Sequence, residues 1–123
     1  MTTRYKPQTA KARPWDDIEE HYVDLNKHGW GHERLLELVK RIKSSGLRDR
    51  LFAYTSIDKL VVSIYDPIEW NREALHIQFD RQNQRWTFEY YAKPPGTKPE
   101  SERQYSSDLG IDKFFKFIEG IKW

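Results

Sequence analysis

The sequence contains no cysteine among its 123 residues, which excludes disulfides, thiol nucleophiles, iron–sulfur clusters and cysteine-based zinc sites. It also lacks any run of ~20 apolar residues, the length that a membrane-spanning helix needs, and its mean hydropathy is -0.91. Residues 1–14 contain no apolar stretch of the kind found in secretory signals. Neither glycine-rich phosphate-loop motif occurs. We therefore expect a soluble, cytoplasmic protein without a membrane partner and without a cofactor.

Aromatic residues are abundant, with 5 Trp, 7 Tyr and 6 Phe, and they supply enough bulk for one hydrophobic core. Charge is unevenly distributed. Residues 1–14 carry four basic side chains and no acidic one, which leaves 17 basic against 19 acidic side chains in the remainder. The pattern predicts a flexible basic arm over residues 1–14 and a single domain over residues 15–123.

Apolar residues recur at helical spacing in three segments. The first two stripes precede residue 45 and the third lies near the C-terminus. They comprise Ile18, Tyr22 and Leu25; Leu35, Leu38, Val39 and Ile42; and Ile111, Phe114, Phe115 and Ile118. This spacing predicts two N-terminal helices and one C-terminal helix.

Between these helices the apolar period changes to that of strands. Residues 51–56 and 60–65 are short β-rich runs, and residues 75–80 and 85–92 alternate between apolar and polar side chains. The proline-rich segment 94–99 predicts an exposed loop. We expect an α+β fold in which a four-stranded antiparallel meander sheet has all three helices packed on one face.

The alternation also predicts which side chains face away from the helices. This outward set is polar with an aromatic member, a mixture typical of interfaces, and Trp70 in a long connection is a further candidate anchor. The candidate binding residues are His76, Gln78, Glu89, Tyr91 and Trp70. The leading hypothesis is a small non-enzymatic protein that binds another protein, as an inhibitor-like or immunity-like regulator does. A homodimer that buries the same face is a variant of it.

Nucleic-acid binding is a second hypothesis, because basic side chains cluster in the arm and at the end of the second predicted helix. The candidate contacts are Arg4, Lys6, Lys11, Arg13, Lys40, Arg41 and Lys43.

An enzyme or a small-ligand protein with a pocket between sheet and helices is the third hypothesis. The sequence carries no recognisable catalytic motif. His28 and His32 have the spacing of helical metal ligands, but Gly29 and Gly31 interrupt a helix there, so no metal site is expected. His76 and Glu89 form a crude acid–base pair if they face one another, and a perturbed His76 titration is then expected.

Overall fold

The structure, a computed structural model, describes residues 9–69, 72–92 and 99–123. Three α-helices and a short 3₁₀ helix form within these ranges. They are α1 (Trp15–Lys27), α2 (Glu33–Lys43), the 3₁₀ helix (Gly46–Asp49) and α3 (Gly110–Gly120). None of the helices in the described ranges is both long and apolar enough to cross a membrane.

Seven strands form two sheets. In chain order they are β1 (Thr9–Ala10), β2 (Phe52–Ser56), β3 (Lys59–Ser63), β4 (Ile68–Glu69), β5 (Ala74–Asp80), β6 (Arg85–Tyr91) and β7 (Ser101–Ser106). The main sheet is antiparallel with the order β2-β3-β5-β6-β7, and β1 pairs with β4 in a separate two-stranded sheet.

The strand register divides the main sheet into an inner face, turned toward the helices, and an outer face. Leu75, Ile77 and Phe79 of β5 lie opposite inner-face residues of β6. All three are buried and belong to the core cluster, as the alternation predicts. The same cluster includes side chains from α1, α2 and α3, so helices and sheet share one core.

Three buried aromatic side chains donate hydrogen bonds that connect the helices with the strands and turns of the sheet. The indole Nε1 of Trp15 donates to the carbonyl of Leu51 at 3.1 Å, and the hydroxyl of Tyr22 donates to a carbonyl in the β2–β3 turn. The indole of Trp86 donates to the carbonyl of Ser107 at 3.1 Å, just before α3. These bonds allow large aromatic side chains to lie in the core without leaving a buried donor unpaired.

The α+β class, the three helices and the antiparallel sheet are confirmed, but the prediction of four strands is wrong. The main sheet has a fifth strand, β7, which pairs with β6 from Arg85 to Tyr90. Because β7 lies at the sheet edge, most of its side chains are exposed, and its sequence lacks the apolar alternation that identified the other strands. The two-residue strands β1 and β4 are too short to produce a pattern.

The described part of the predicted arm contacts the domain. β1 pairs with β4, and the backbone N–H of Arg13 donates to the carbonyl of Ala53 at 2.8 Å. Residues 1–8 lie outside the described residues, so the flexibility of the arm stays a prediction. Most of the loop predicted over residues 94–99 also lies outside them.

Candidate functional site

The outer face of β5 and β6 brings together three of the residues that the sequence singled out. His76 and Glu89 are direct partners in the antiparallel register, as the third hypothesis requires. The rings of His76 and Tyr91 lie 4.8 Å apart, and the Tyr91 hydroxyl is 3.4 Å from Oε2 of Glu89. We call His76, Glu89, Tyr91 and the neighbouring Lys59 the outer-face cluster.

The other two predicted binding residues are not part of this cluster. Gln78 is exposed on the same face, where it lies opposite Thr87 in the strand register. Trp70 lies outside the described residues.

Burial and a neighbouring cation set the charge state of His76. Burial lowers the pKa of His76 to about 4, with a further contribution from Lys59, whose Nζ is 3.5 Å from the imidazole Nδ1. Burial and Glu89 raise the pKa of Tyr91. At neutral pH the cluster therefore presents a neutral imidazole and a neutral phenol between one cation and one anion. An imidazole with so low a pKa is a weak general base.

A cavity of about 420 Å³ lies at a second place, where three connections of the chain meet. The α1–α2 loop contributes Trp30 and His32, and the β2–β3 turn contributes Asp58. The end of β5 contributes Phe79 and Asp80, and the β5–β6 turn contributes Arg81 and Gln82. The full lining is His28, Gly29, Trp30, His32, Asp58, Phe79, Asp80, Arg81 and Gln82. We call this space the loop cavity.

His32 is the most enclosed polar side chain of the loop cavity. It precedes the first residue of α2, only 4% of its side chain is exposed, and its Nε2 is 3.1 Å from Oδ2 of Asp58. Its ring makes edge contacts with Tyr22 and Phe79. The opposite ring nitrogen, Nδ1, is buried and has no hydrogen-bond partner among the residues that the structure describes.

Two glycines shape the loop that leads to His32. Gly29 and Gly31 have φ angles of 81° and 69°, in the left-handed region that favours glycine. The guanidinium of Arg81 donates to the carbonyl of Gly29. The side-chain oxygen of Asn26 accepts from the backbone N–H of His32 at 2.7 Å. The loop therefore has a defined path, and Trp30 lies between its two left-handed residues.

The chain matches no protein-family model, no curated protein and no solved structure. Its function is therefore inferred from the surfaces that its own residues form.

In the sequence, His28 and His32 were considered together because of their spacing, and no metal site was expected there. The two histidines have different environments in the structure, because the side chain of His28 is largely exposed while that of His32 is buried. No group of three or more side chains suited to a metal ion occurs within the described ranges. Sequence reasoning missed the contact between His32 and Asp58 because 26 residues separate them, and no local spacing signals such a pair.

The basic residues at the end of α2 are largely engaged with acidic ones. Nζ of Lys43 lies 2.6 Å from a carboxylate oxygen of Asp16 and 3.3 Å from one of Glu19. Arg41 lies 3.8 Å from Asp112, whereas Lys40 is exposed. Among the basic arm residues, Lys11 is exposed and Arg13 donates to the Thr55 hydroxyl. Arg4 and Lys6 lie outside the described residues.

Proposed function

We propose that this chain is a non-catalytic protein-binding module whose contact surface is the outer-face cluster. One observation carries the proposal: the rings of His76 and Tyr91 are in contact on the face opposite the helices, between Lys59 and Glu89. All four side chains are partly exposed. Partly buried aromatic rings with a polar rim are typical of protein interfaces.

Charge supports a protein partner over a nucleic acid. A nucleic-acid surface requires cations that are free to meet phosphates. Glu89 on the outer-face cluster opposes phosphate, and Lys43 at the end of α2 already has two carboxylates beside it. A protein partner can instead pair with one cation and one anion, so the cluster suits a regulatory, inhibitor-like role. A second copy of this chain is the simplest partner with such a surface.

The test begins with the oligomeric state and proceeds to a partner. Sedimentation velocity measures self-association of the wild type. Affinity capture with nuclease treatment then identifies a partner, which is purified and titrated directly. We expect Tyr91→Ala to weaken the measured association by at least about tenfold, as the loss of an aromatic interface residue does. Lys40→Ala, an exposed change on α2, is the matched control and should leave the association unchanged.

Two results would oppose the proposal. Equal affinity of Tyr91→Ala and the wild type for the purified partner would remove the outer-face cluster from the interface. Capture that disappears after nuclease treatment would favour the nucleic-acid alternative, and the basic residues of the arm would then become the targets of mutagenesis.

A further inference from the structure

The loop cavity has the features of a second binding site, independent of the outer-face cluster. Its volume of about 420 Å³ falls within the range of ~300–1,000 Å³ typical of small-molecule pockets. We propose that it binds an organic cation, namely the ammonium or guanidinium end of a small molecule.

The carboxylate of Asp58 is a hydrogen-bond acceptor that lines the cavity beside His32. Nε2 of His32 lies 3.1 Å from the Asp58 carboxylate, and a carboxylate accepts the proton that this nitrogen carries. The other ring nitrogen, Nδ1, is buried and has no hydrogen-bond partner within the described part of the chain. Asp58 itself lines the cavity with 38% of its side chain exposed. A ligand that pairs with this exposed carboxylate must therefore donate hydrogen bonds.

Aromatic side chains provide a second attraction for a cation. Trp30 lines the cavity and is 39% exposed, so its indole is accessible to a ligand. Its ring centroid lies 6.1 Å from that of His32, which places the indole beside the buried imidazole. The face of an indole ring attracts ammonium and guanidinium groups more strongly than other aromatic rings do.

The charge balance of the lining also favours a cation. Asp58 and Asp80 contribute two carboxylates against the single guanidinium of Arg81. The carboxylate of Asp80 accepts hydrogen bonds from the β5–β6 turn, and Arg81 donates to the Gly29 carbonyl across the cavity. The carboxylate of Asp58 retains half-exposed surface toward the cavity, so it is the group that we expect to pair with the ligand.

The experiment is a titration of the full chain with small-molecule probes, monitored by ¹H–¹⁵N correlation NMR. Agmatine and n-butylammonium are the cationic probes. Butylurea and butyrate are the neutral and anionic controls of similar size. We expect only the cations to shift the Trp30 indole resonance and the amides of Gly29 and Gly31, with a Kd of about 1 mM. A capped Gly-Arg-Gly peptide, titrated in parallel, distinguishes a free small molecule from an arginine side chain presented by a protein: tighter binding of the peptide indicates the second source.

Variants identify the groups that bind. Asp58→Asn removes one charge and retains the backbone carbonyl to which Tyr22 donates, so we expect the fold to persist and the cation affinity to fall at least about tenfold. Trp30→Leu should also weaken binding. Asp17→Asn, at an exposed acid in the first turn of α1, is the control and should bind like the wild type.

Several results would overturn the proposal. These are no saturable shift with either cation, equal shifts with butyrate, or unchanged cation affinity in a folded Asp58→Asn variant. Loss of association in Tyr91→Ala together with wild-type cation binding would show that the two sites act separately.

Discussion

Gly110 and Trp86 pack so closely that no side chain fits between them. A Cβ added at position 110 would overlap three atoms of the indole ring, Cγ, Cδ1 and Nε1. The same indole donates to the carbonyl of Ser107. The start of α3 is therefore fixed against β6 by direct contact of helix backbone with an aromatic ring.

Replacement of this glycine tests the contact. We expect Gly110→Ala to lower the free energy of unfolding by about 2 kcal/mol or more, because a rigid, fully buried ring must move. Gly120→Ala is the matched control at the other end of α3, where an added Cβ meets no atom within 4 Å. It should be neutral or slightly stabilising. Urea unfolding of the two variants measures the difference, and similar values would contradict the packing.

The hydroxyl of Tyr22 joins α1 to the β2–β3 turn. It donates to the carbonyl of Asp58 at 3.0 Å, and burial, with a contribution from the Asp58 charge, raises the pKa of Tyr22 so that it remains protonated. We expect Tyr22→Phe to cost about 1 kcal/mol of stability through loss of this bond. Tyr105→Phe serves as the control, since the Tyr105 hydroxyl makes no hydrogen bond within the described ranges. An equal cost in both variants would indicate that the bond contributes nothing.

The fold could be predicted where burial is one-sided. Leu75, Ile77 and Phe79 alternate with polar residues because one face of β5 meets the core and the other does not. β7 differs because it is an edge strand. Backbone hydrogen bonds to β6 hold it in the sheet, and most of its side chains are exposed. Backbone pairing does not require alternating apolar residues in the sequence, and for this reason Ser101–Ser106 was not predicted as a strand.

Of the two candidate sites, one could be predicted from the sequence pattern and the other could not. Alternation along two adjacent strands was enough to predict that His76 and Glu89 share a face, and the register makes them direct partners. The loop cavity depends instead on the tertiary approach of three connections. Asp58 lies beside His32 in a structure where the β2–β3 turn also contacts α1. The sequence predicted that Gly29 and Gly31 interrupt a helix, but it did not predict their left-handed φ angles.

The low pKa of His76 makes stability depend on pH. An unfolded histidine takes up its proton near its ordinary pKa of 6.5, whereas folded His76 does so only at about 4. Between these values the unfolded chain binds more protons, so stability should fall as the pH is lowered from 6.5 to 4. Lys59, Glu89 and Tyr91 all adjoin the ring.

NMR titration of His76 and urea unfolding at pH 5 and pH 7 measure this effect. We expect His76→Gln to lose less stability than the wild type on acidification, because the variant lacks the titrating ring while other groups still titrate. Lys59→Met should raise the His76 pKa, since it removes the nearby cation that opposes protonation. A His76 midpoint near 6.5 in the wild type would contradict the burial of the ring.

Gly29 and Gly31 provide a matched pair for the loop that leads to the loop cavity. Both have left-handed φ angles, so alanine at either position should cost about 1 kcal/mol of stability. Only position 31 is crowded, since a Cβ there would lie 2.9 Å from Cδ of Arg81, while position 29 has no atom within 4 Å. We therefore expect Gly31→Ala to be the more destabilising variant by thermal unfolding. It should also displace Arg81 and change the Trp30 indole resonance more than Gly29→Ala does. Equal stability and equal spectra in the two variants would mean that Arg81 does not pack against this loop in solution.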